Sequence, residues 1–401
     1  MSNTRLLIPS RAAQQPDWTR WDDLDRVLGE LARRPALVSE ETTAALREEL
    51  AFVARGTAFV IQAGDCAELF SDSGPERIRA KATALHALGD LFESLTKIPV
   101  VRIGRLAGQY AKPRSNSWEE LPDGTRVPVY RGDAVNGAEA TASARQPDPH
   151  RLLRAYELAQ RALAELRTAP PRSGSMTAVL APTYISHEAL LLEYEHALLR
   201  ADARGGRYAS SAPFLWIGER TRQPDHAHID LAATVSNPIG VKVGPDASPA
   251  DVTALLDRLN PANQPGRLTL IVRMGAERIG TALPALLGGL GPRAAEAVWM
   301  TDPMHGNTRT TAAGQKSRVL TDILTEVETF FGVMSAHGLH AGGLHLESAP
   351  DDVTECVLRT EDLAVDTPLP RYESACDPRL NPAQAEEVVR LAASLAVGRA
   401  A

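Results

Sequence analysis

Eight short runs of β-branched and apolar residues, each followed by a stretch with room for a helix, restrict this chain to very few folds. The runs are Ala58–Gln62, Pro99–Ile103, Thr177–Leu180, Phe214–Ile217, Ile239–Val243, Leu268–Val272, Ala297–Met300 and Gly343–Leu346. Helical periods fill the spaces between them, among them Pro75 to Leu95, His150 to Leu166, Glu188 to Ala201, Pro249 to Leu259 and Gln315 to His337. Right-handed crossovers repeated this often favour a parallel sheet that closes on itself, so the expected fold is α/β, a (β/α)8 TIM barrel. The main rival is an open doubly wound sheet. It would need a glycine-rich nucleotide loop after its first strand, and Gly64-Asp65-Cys66-Ala67-Glu68 has the wrong chemistry for one.

Two segments lie outside the repeat. Residues 1–56 read as a short N-terminal helical extension packed on the barrel, with Leu24, Val27, Leu28 and Leu31 at helical spacing and a second helix from Glu40 to Ala54. Residues 57–401 then form the catalytic barrel as one domain. The connection from Arg114 to Pro149, after the second strand, is long and rich in turn residues. It is either a floppy insertion or a functional loop at the barrel top, and its Arg131-Gly132-Asp133 is read as a turn.

A barrel carries its chemistry at the carboxyl ends of its strands, so the residues closing each run are the candidates. They fall into two chemical sets. Cys66, His305, Glu347 and Asp377 offer a sulfur, an imidazole and two carboxylates, a mixture suited to a divalent ion such as Mn²⁺, Co²⁺, Fe²⁺ or Zn²⁺. Arg105, Arg220, Lys242 and Arg273, with Lys112, Arg114 and Ser115 beyond the second strand, make a cationic set. The chain as a whole carries a formal charge of −7. It therefore has no general attraction for nucleic acid or an anionic membrane, and gathered cations imply a polyanionic small substrate. A metal beside such a clamp suits chemistry on phosphorylated keto- or enol-acids. No apolar run approaches the roughly 20 residues of a membrane span. The 3 cysteines make no disulfide framework, and a reducing cytoplasm is the expected location.

Several strings are specific enough to carry a resemblance. Gly64 to Glu68 (GDCAE), Arg105 to Ser115 (RLAGQYAKPRS), Ser186 to Leu190 (SHEAL), Trp216 to Gln223 (WIGERTRQ), Asp302 to Thr308 (DPMHGNT), Val353 to Cys356 (VTEC) and Cys376 to Asn381 (CDPRLN) resemble type II 3-deoxy-D-arabino-heptulosonate 7-phosphate (DAHP) synthases. The likeness implies a metal-dependent, aldol-like condensation of phosphoenolpyruvate with erythrose 4-phosphate and water, releasing phosphate. That reaction opens the shikimate route to chorismate. The resemblance also implies Cys66, His305, Glu347 and Asp377 as ligands of Mn²⁺ or Co²⁺, with Fe²⁺, Zn²⁺ or Cd²⁺ as further possibilities. Phosphoenolpyruvate would lie against Arg105, Glu219 (through its backbone), Arg220, Lys242 and Arg273, and the aldose phosphate by Lys112, Arg114 and Ser115. Lys242, Glu219 and Arg220 are the candidate catalytic residues.

Compared with longer members, the N-terminal portion is short and residues 116–150 match least, which implies little feedback inhibition by aromatic amino acids. The compact form is similar to members that serve specialised pathways such as phenazine formation. A homo-oligomer and a chorismate-pathway enzyme partner are expected from the same likeness. Two other functions fit the sequence, an aminoDAHP synthase and a catalytically silent regulatory partner. Neighbouring first and eighth strands would also let Cys66 approach Cys376, where a disulfide would remove a metal ligand; an inert packed Cys376 thiol is the alternative.

Overall fold

The computed structural model describes residues 11–121, 123–168, 183–364 and 366–398. Its centre is a closed barrel of eight strands. They are β1 (Phe59–Gly64), β2 (Val100–Arg105), β3 (Tyr184–Glu188), β4 (Phe214–Ile217), β5 (Ile239–Val243), β6 (Leu268–Val272), β7 (Val298–Thr301) and β8 (Gly343–Glu347). Each pairs in parallel with its neighbours, and β1 closes the ring by pairing Val60 with Gly343 through Gly64 with Glu347 on β8. The (β/α)8 expectation holds.

One strand was misplaced from sequence. Thr177–Leu180 lies outside the described residues, and the third barrel strand is Tyr184–Glu188, pairing with β2 and β4. Its alternation conceals it, because Ser186 points a hydroxyl into the barrel to accept from Gln62 Nε2 at 2.9 Å and donate to Gly104 O at 2.9 Å. A polar inward residue spoils the apolar run that marks the other strands.

The ten helices described are α1 (Trp21–Arg33), α2 (Glu40–Ala54), α3 (Pro75–Thr96), α4 (His150–Thr168), α5 (Leu192–Ala197), α6 (Ala227–Thr234), α7 (Pro249–Leu259), α8 (Ala276–Leu290), α9 (Leu320–Ala336) and α10 (Pro382–Val397). The expected helix from Glu188 to Ala201 shrinks to α5. Beyond it, Asp202 Oδ1 accepts from the amides of Arg204 (2.9 Å) and Gly206 (2.7 Å), and this turn folds Leu199–Ala201 against Arg207–Ala209 as a hairpin. Helix α7 starts at its expected residue because Ser248 and Asp251 form a reciprocal capping box ahead of Pro249.

Strand alternation divides the apolar residues into two bodies. Phe59, Ile61 and Ala63 face outward into the layer packed under the helices, and Val60 faces inward with Val101, Ile103, Phe214, Trp216 and Met300. Leu46, Leu50 and Val53 of α2 join this inner cluster and plug the amino-terminal end of the barrel. Toward the carboxyl end the interior turns polar, with Gln62, His345 and Arg105 all buried. The charged mouth stands on that layer.

The segment after β2 is an ordered part of the mouth. It contains a hairpin of Trp118–Glu120 on Arg126–Pro128, held down by Arg145 Nη2 on Glu119 Oε1 at 2.7 Å. Gly132 turns there with φ of 102°, and a Cβ would meet Tyr110 O at 2.3 Å, so only glycine fits the turn.

Candidate active site

A cavity of about 460 Å³ opens at the carboxyl ends of the strands. Cys66, Arg105, Lys112, Arg114, Ser115, Glu219, Arg220, Lys242, Arg273, His305 and Asp377 all line it. Glu347, the twelfth candidate, is fully buried and reaches the others from the end of β8. No residue proposed from the sequence falls elsewhere.

The potential metal donors meet across long separations in sequence. A sulfur of Cys66 and carboxylate oxygens of Glu347 and Asp377 lie within 4.8 Å of one another. His305 Nε2 stands 3.1 Å from Glu347 Oε1, beside this trio but outside the set whose donor atoms all lie within 4.8 Å of one another. A thiol, an imidazole and two carboxylates around one spot fit a divalent transition ion. The Lys112 ammonium bridges Cys66 Sγ and Asp377 Oδ2, so these donors already share a cation.

Counter-charges keep the two carboxylates of this cluster ionised. Burial alone would raise the Glu347 carboxyl, but His305, Arg318 and Lys112 hold it well below the usual carboxylate range. Arg105 Nη2 donates to its Oε1 at 2.9 Å and Arg318 Nη1 to its Oε2 at 2.7 Å. Lys112 and Arg318 likewise hold Asp377 low against burial, and Lys316 Nζ contacts its Oδ1 at 2.8 Å. Burial pushes the Cys66 thiol up; Cys376, with a side-chain hydrogen bond to Cys66, is brought down.

His305 is oriented from behind. Its Nδ1 lies 2.7 Å from Asp302 Oδ2, while Asp302 Oδ1 accepts from the amides of Met304 (3.1 Å) and His305 (3.2 Å). The Asp302 carboxylate fixes the ring so that Nε2 faces Glu347. Asp302 also pairs with Lys242, whose ammonium is pulled down to about 8, first by burial and then by nearby Arg105.

The cationic wall has two parts. Lys242 and Arg105 are buried, Arg105 with its guanidinium 5.0 Å from the centre of the Trp216 ring. Arg220, Arg114 and Ser115 stand at the rim, where Arg220 Nη2 donates to Ser115 Oγ at 2.7 Å. Arg273 bridges toward the histidine loop through a 2.9 Å bond from Nη2 to His305 O. The carboxylate of Glu219 turns aside, accepting from Gly244 N at 2.7 Å and pairing with Arg222 at 3.0 Å.

Sequence reasoning overlooked the groups that hold the loops. Glu68 accepts from the amides of Ala107 (3.0 Å), Gly108 (2.9 Å) and Gln109 (2.9 Å), ahead of Lys112. Glu326 of α9 accepts from Met274 N (2.9 Å), Gly275 N (3.0 Å) and Asn307 Nδ2 (2.7 Å), tying the Arg273 loop to the His305 loop. Glu355 accepts from Glu373 N (3.0 Å), Ser374 N (2.8 Å) and Arg379 N (2.7 Å), flanking Asp377. Each is a buried carboxylate serving adjacent backbone donors, a pattern without a spacing signature. Asp302 was legible in principle, three residues before His305.

The sequence profile described as the Class-II DAHP synthetase family matches residues 5–179 and 172–393. The chain belongs to that family. It is 42% identical over 428 residues to a phospho-2-dehydro-3-deoxyheptonate aldolase of Streptomyces coelicolor, covering 96% of this chain and 95% of that one. It is 38% identical over 435 residues to the aldolase AroG of Mycolicibacterium smegmatis, covering 96% of this chain and 92% of the other. Among solved structures, a phospho-2-dehydro-3-deoxyheptonate aldolase from Francisella tularensis SCHU S4 shares the fold, with a TM-score of 0.54 at 15% identity over 93% of this chain and 96% of that one. No described helix of this class-II family member is long and apolar enough to cross a membrane.

Proposed function

We infer that this chain is a DAHP synthase, condensing phosphoenolpyruvate with D-erythrose 4-phosphate and water to give 3-deoxy-D-arabino-heptulosonate 7-phosphate and phosphate. The observation that carries the reading is the meeting of a thiol, imidazole and carboxylate cluster with a wall of arginine and lysine in one cavity. A silent partner would have no physical need for such mutually repelling cations, and nothing in the cavity favours an amino-sugar substrate.

Cys66, His305, Glu347 and Asp377 would hold Mn²⁺ or Co²⁺, which supplies Lewis acidity at the tetrose aldehyde. Arg105, Arg220, Lys242 and Arg273 hold the phosphate and carboxylate of phosphoenolpyruvate, presenting its C3 to the aldehyde carbon and offsetting negative charge as phosphate leaves. Lys112, Arg114 and Ser115 take the aldose phosphate at the rim. The long segment after β2 walls the mouth on the tetrose side and limits water there. Three unpaired cysteines suit a reducing cytoplasm.

The test is phosphate release from the two substrates with Mn²⁺ or Co²⁺, with and without chelator, in the parent chain and His305→Ala. Turnover that chelator and the substitution both abolish is expected. Full activity and tight metal binding in His305→Ala would overturn the site, and no turnover with any divalent metal would overturn the function.

A further inference from the structure

Condensation leaves the former aldehyde oxygen in need of a proton, and the candidate catalytic residues Glu219 and Lys242 are both engaged elsewhere. The Glu219 carboxylate is held by Gly244 N and Arg222, and Lys242 is paired to Asp302. One acidic side chain on the cavity wall is not engaged in this way. Glu188, the last residue of β3, lines the cavity, and its Oε1 is buried with no hydrogen-bond partner among the described residues. A buried carboxyl oxygen left unpaired is destabilising, so it calls for an explanation.

The surrounding chain clears space for this group. A Cβ at Gly218 would come within 2.2 Å of Glu188 Oε1, so glycine after β4 leaves the carboxyl room in the position it occupies. Gln109 Oε1 accepts from Glu188 N at 2.8 Å, fixing the backbone from which the carboxyl projects. The charges it feels are Lys112, Lys242, His305 and Arg105, which span both the tetrose side and the phosphoenolpyruvate side of the cavity.

Resting on the function inferred above, we propose that Glu188 is a catalytic residue, the acid that delivers a proton to the tetrose aldehyde oxygen as the new carbon–carbon bond forms. In that step C3 of the enol phosphate bonds to the aldehyde carbon, the carbonyl π pair moves onto oxygen, and oxygen takes the Glu188 proton to become a hydroxyl. Water then bonds to C2 and returns one proton to the Glu188 carboxylate. Finally the C2 hydroxyl becomes a ketone as the C2–O bond to phosphate breaks, its proton leaving with the phosphate. Atoms and charge balance with no further reactant. Burial raises the Glu188 carboxyl above its usual range even against these cations, in the direction an acid requires.

The test compares Glu188→Gln and Glu188→Asp with the parent by kcat, KM, the pH profile of kcat, bound Mn²⁺ and phosphoenolpyruvate affinity from the fluorescence of Trp216. Glu188→Gln should lose roughly 10²- to 10⁴-fold in kcat while retaining metal and phosphoenolpyruvate affinity within about threefold. Its profile should lack the fall in kcat at high pH that the parent shows as the acid ionises, and Glu188→Asp should restore that limb together with part of the rate. Three outcomes overturn the proposal: kcat of Glu188→Gln within about threefold of the parent, a loss confined to the KM for erythrose 4-phosphate, or loss of metal or phosphoenolpyruvate binding. If the parent itself forms no DAHP from the two substrates, the inferred function fails instead, which is a separate result.

Discussion

Asp302→Asn is the substitution that probes the site most sharply, because one carboxylate serves four donors. Its Oδ2 faces His305 Nδ1 at 2.7 Å and the Lys242 ammonium, and its Oδ1 accepts from Met304 N and His305 N at 3.1 and 3.2 Å. An asparagine cannot satisfy both sides. Whichever way the amide is turned, its NH₂ meets two donors, either the imidazole and the ammonium or the two backbone amides. With the NH₂ toward the imidazole the ring loses the acceptor that fixes its tautomer, and with the NH₂ toward the amides the loop that carries the ring loses its tie; removing such a partner typically costs 10- to 100-fold in metal affinity, about 1.4–2.7 kcal/mol. The clash of donors places this case at the upper end.

Lys242 supplies a second, independent signal. Burial holds its ammonium at about 8, and Asp302 is the first of the groups that resist the fall. Without that charge its value drops further. For a lysine with a lowered value, the charged form is present below it and lost as pH rises through it, so phosphoenolpyruvate affinity should decline at lower pH in Asp302→Asn than in the parent. Calorimetric titration with Mn²⁺, and phosphoenolpyruvate affinity measured from pH 6 to 9, read the two effects. Mn²⁺ affinity within about threefold of the parent, or an affinity profile that stays put or moves to higher pH, would refute the reasoning.

Glu355→Ala should weaken Mn²⁺ binding by about 10-fold or more, since it strands the amides on both sides of Asp377; metal titration alongside thermal melting separates this from simple unfolding. Glu326→Ala leaves three buried donors unsatisfied at roughly 1–3 kcal/mol each and should lower the melting temperature while raising the KM for phosphoenolpyruvate through a displaced Arg273. Mild oxidation should join Cys66 to Cys376 and release the metal reversibly; two titratable thiols at these positions and full metal content after oxidation would sink the idea. Phe, Tyr and Trp, singly and in pairs, should leave steady-state rates within about twofold, and strong synergistic inhibition would contradict that.

The barrel and its mouth were legible because both rest on local signals. Seven of the eight strands announce themselves as apolar runs such as Leu268–Val272, and a strand's last residue must point to the mouth once the sheet is known to close. Tyr184–Glu188 was hidden because Ser186 and His187 serve buried hydrogen bonds, so tertiary need overrode the apolar pattern. The hairpin at Arg207–Ala209 was lost under a helical period that Asp202 cuts short. The clamping roles of Glu68, Glu326 and Glu355 were invisible for a different reason. A lone glutamate in sequence looks like solvated surface, and only the approach of distant amides converts it into a clamp.

The closure of β1 on β8 has a consequence for how the molecule comes to hold metal. Asp377 N lies 3.3 Å from Cys66 Sγ across a separation of 311 residues, and Arg379 Nη1 meets Asp65 Oδ1 at 2.7 Å across 314. Contacts so far apart form late, after shorter loops have already closed. If Cys66 and Asp377 hold the ion, as proposed, the full donor set is assembled only once these contacts form. On that reading metal capture follows closure of the barrel. The rate at which refolded chain gains bound Mn²⁺ should then follow the docking of the segment around Asp377, with the helical signal already recovered.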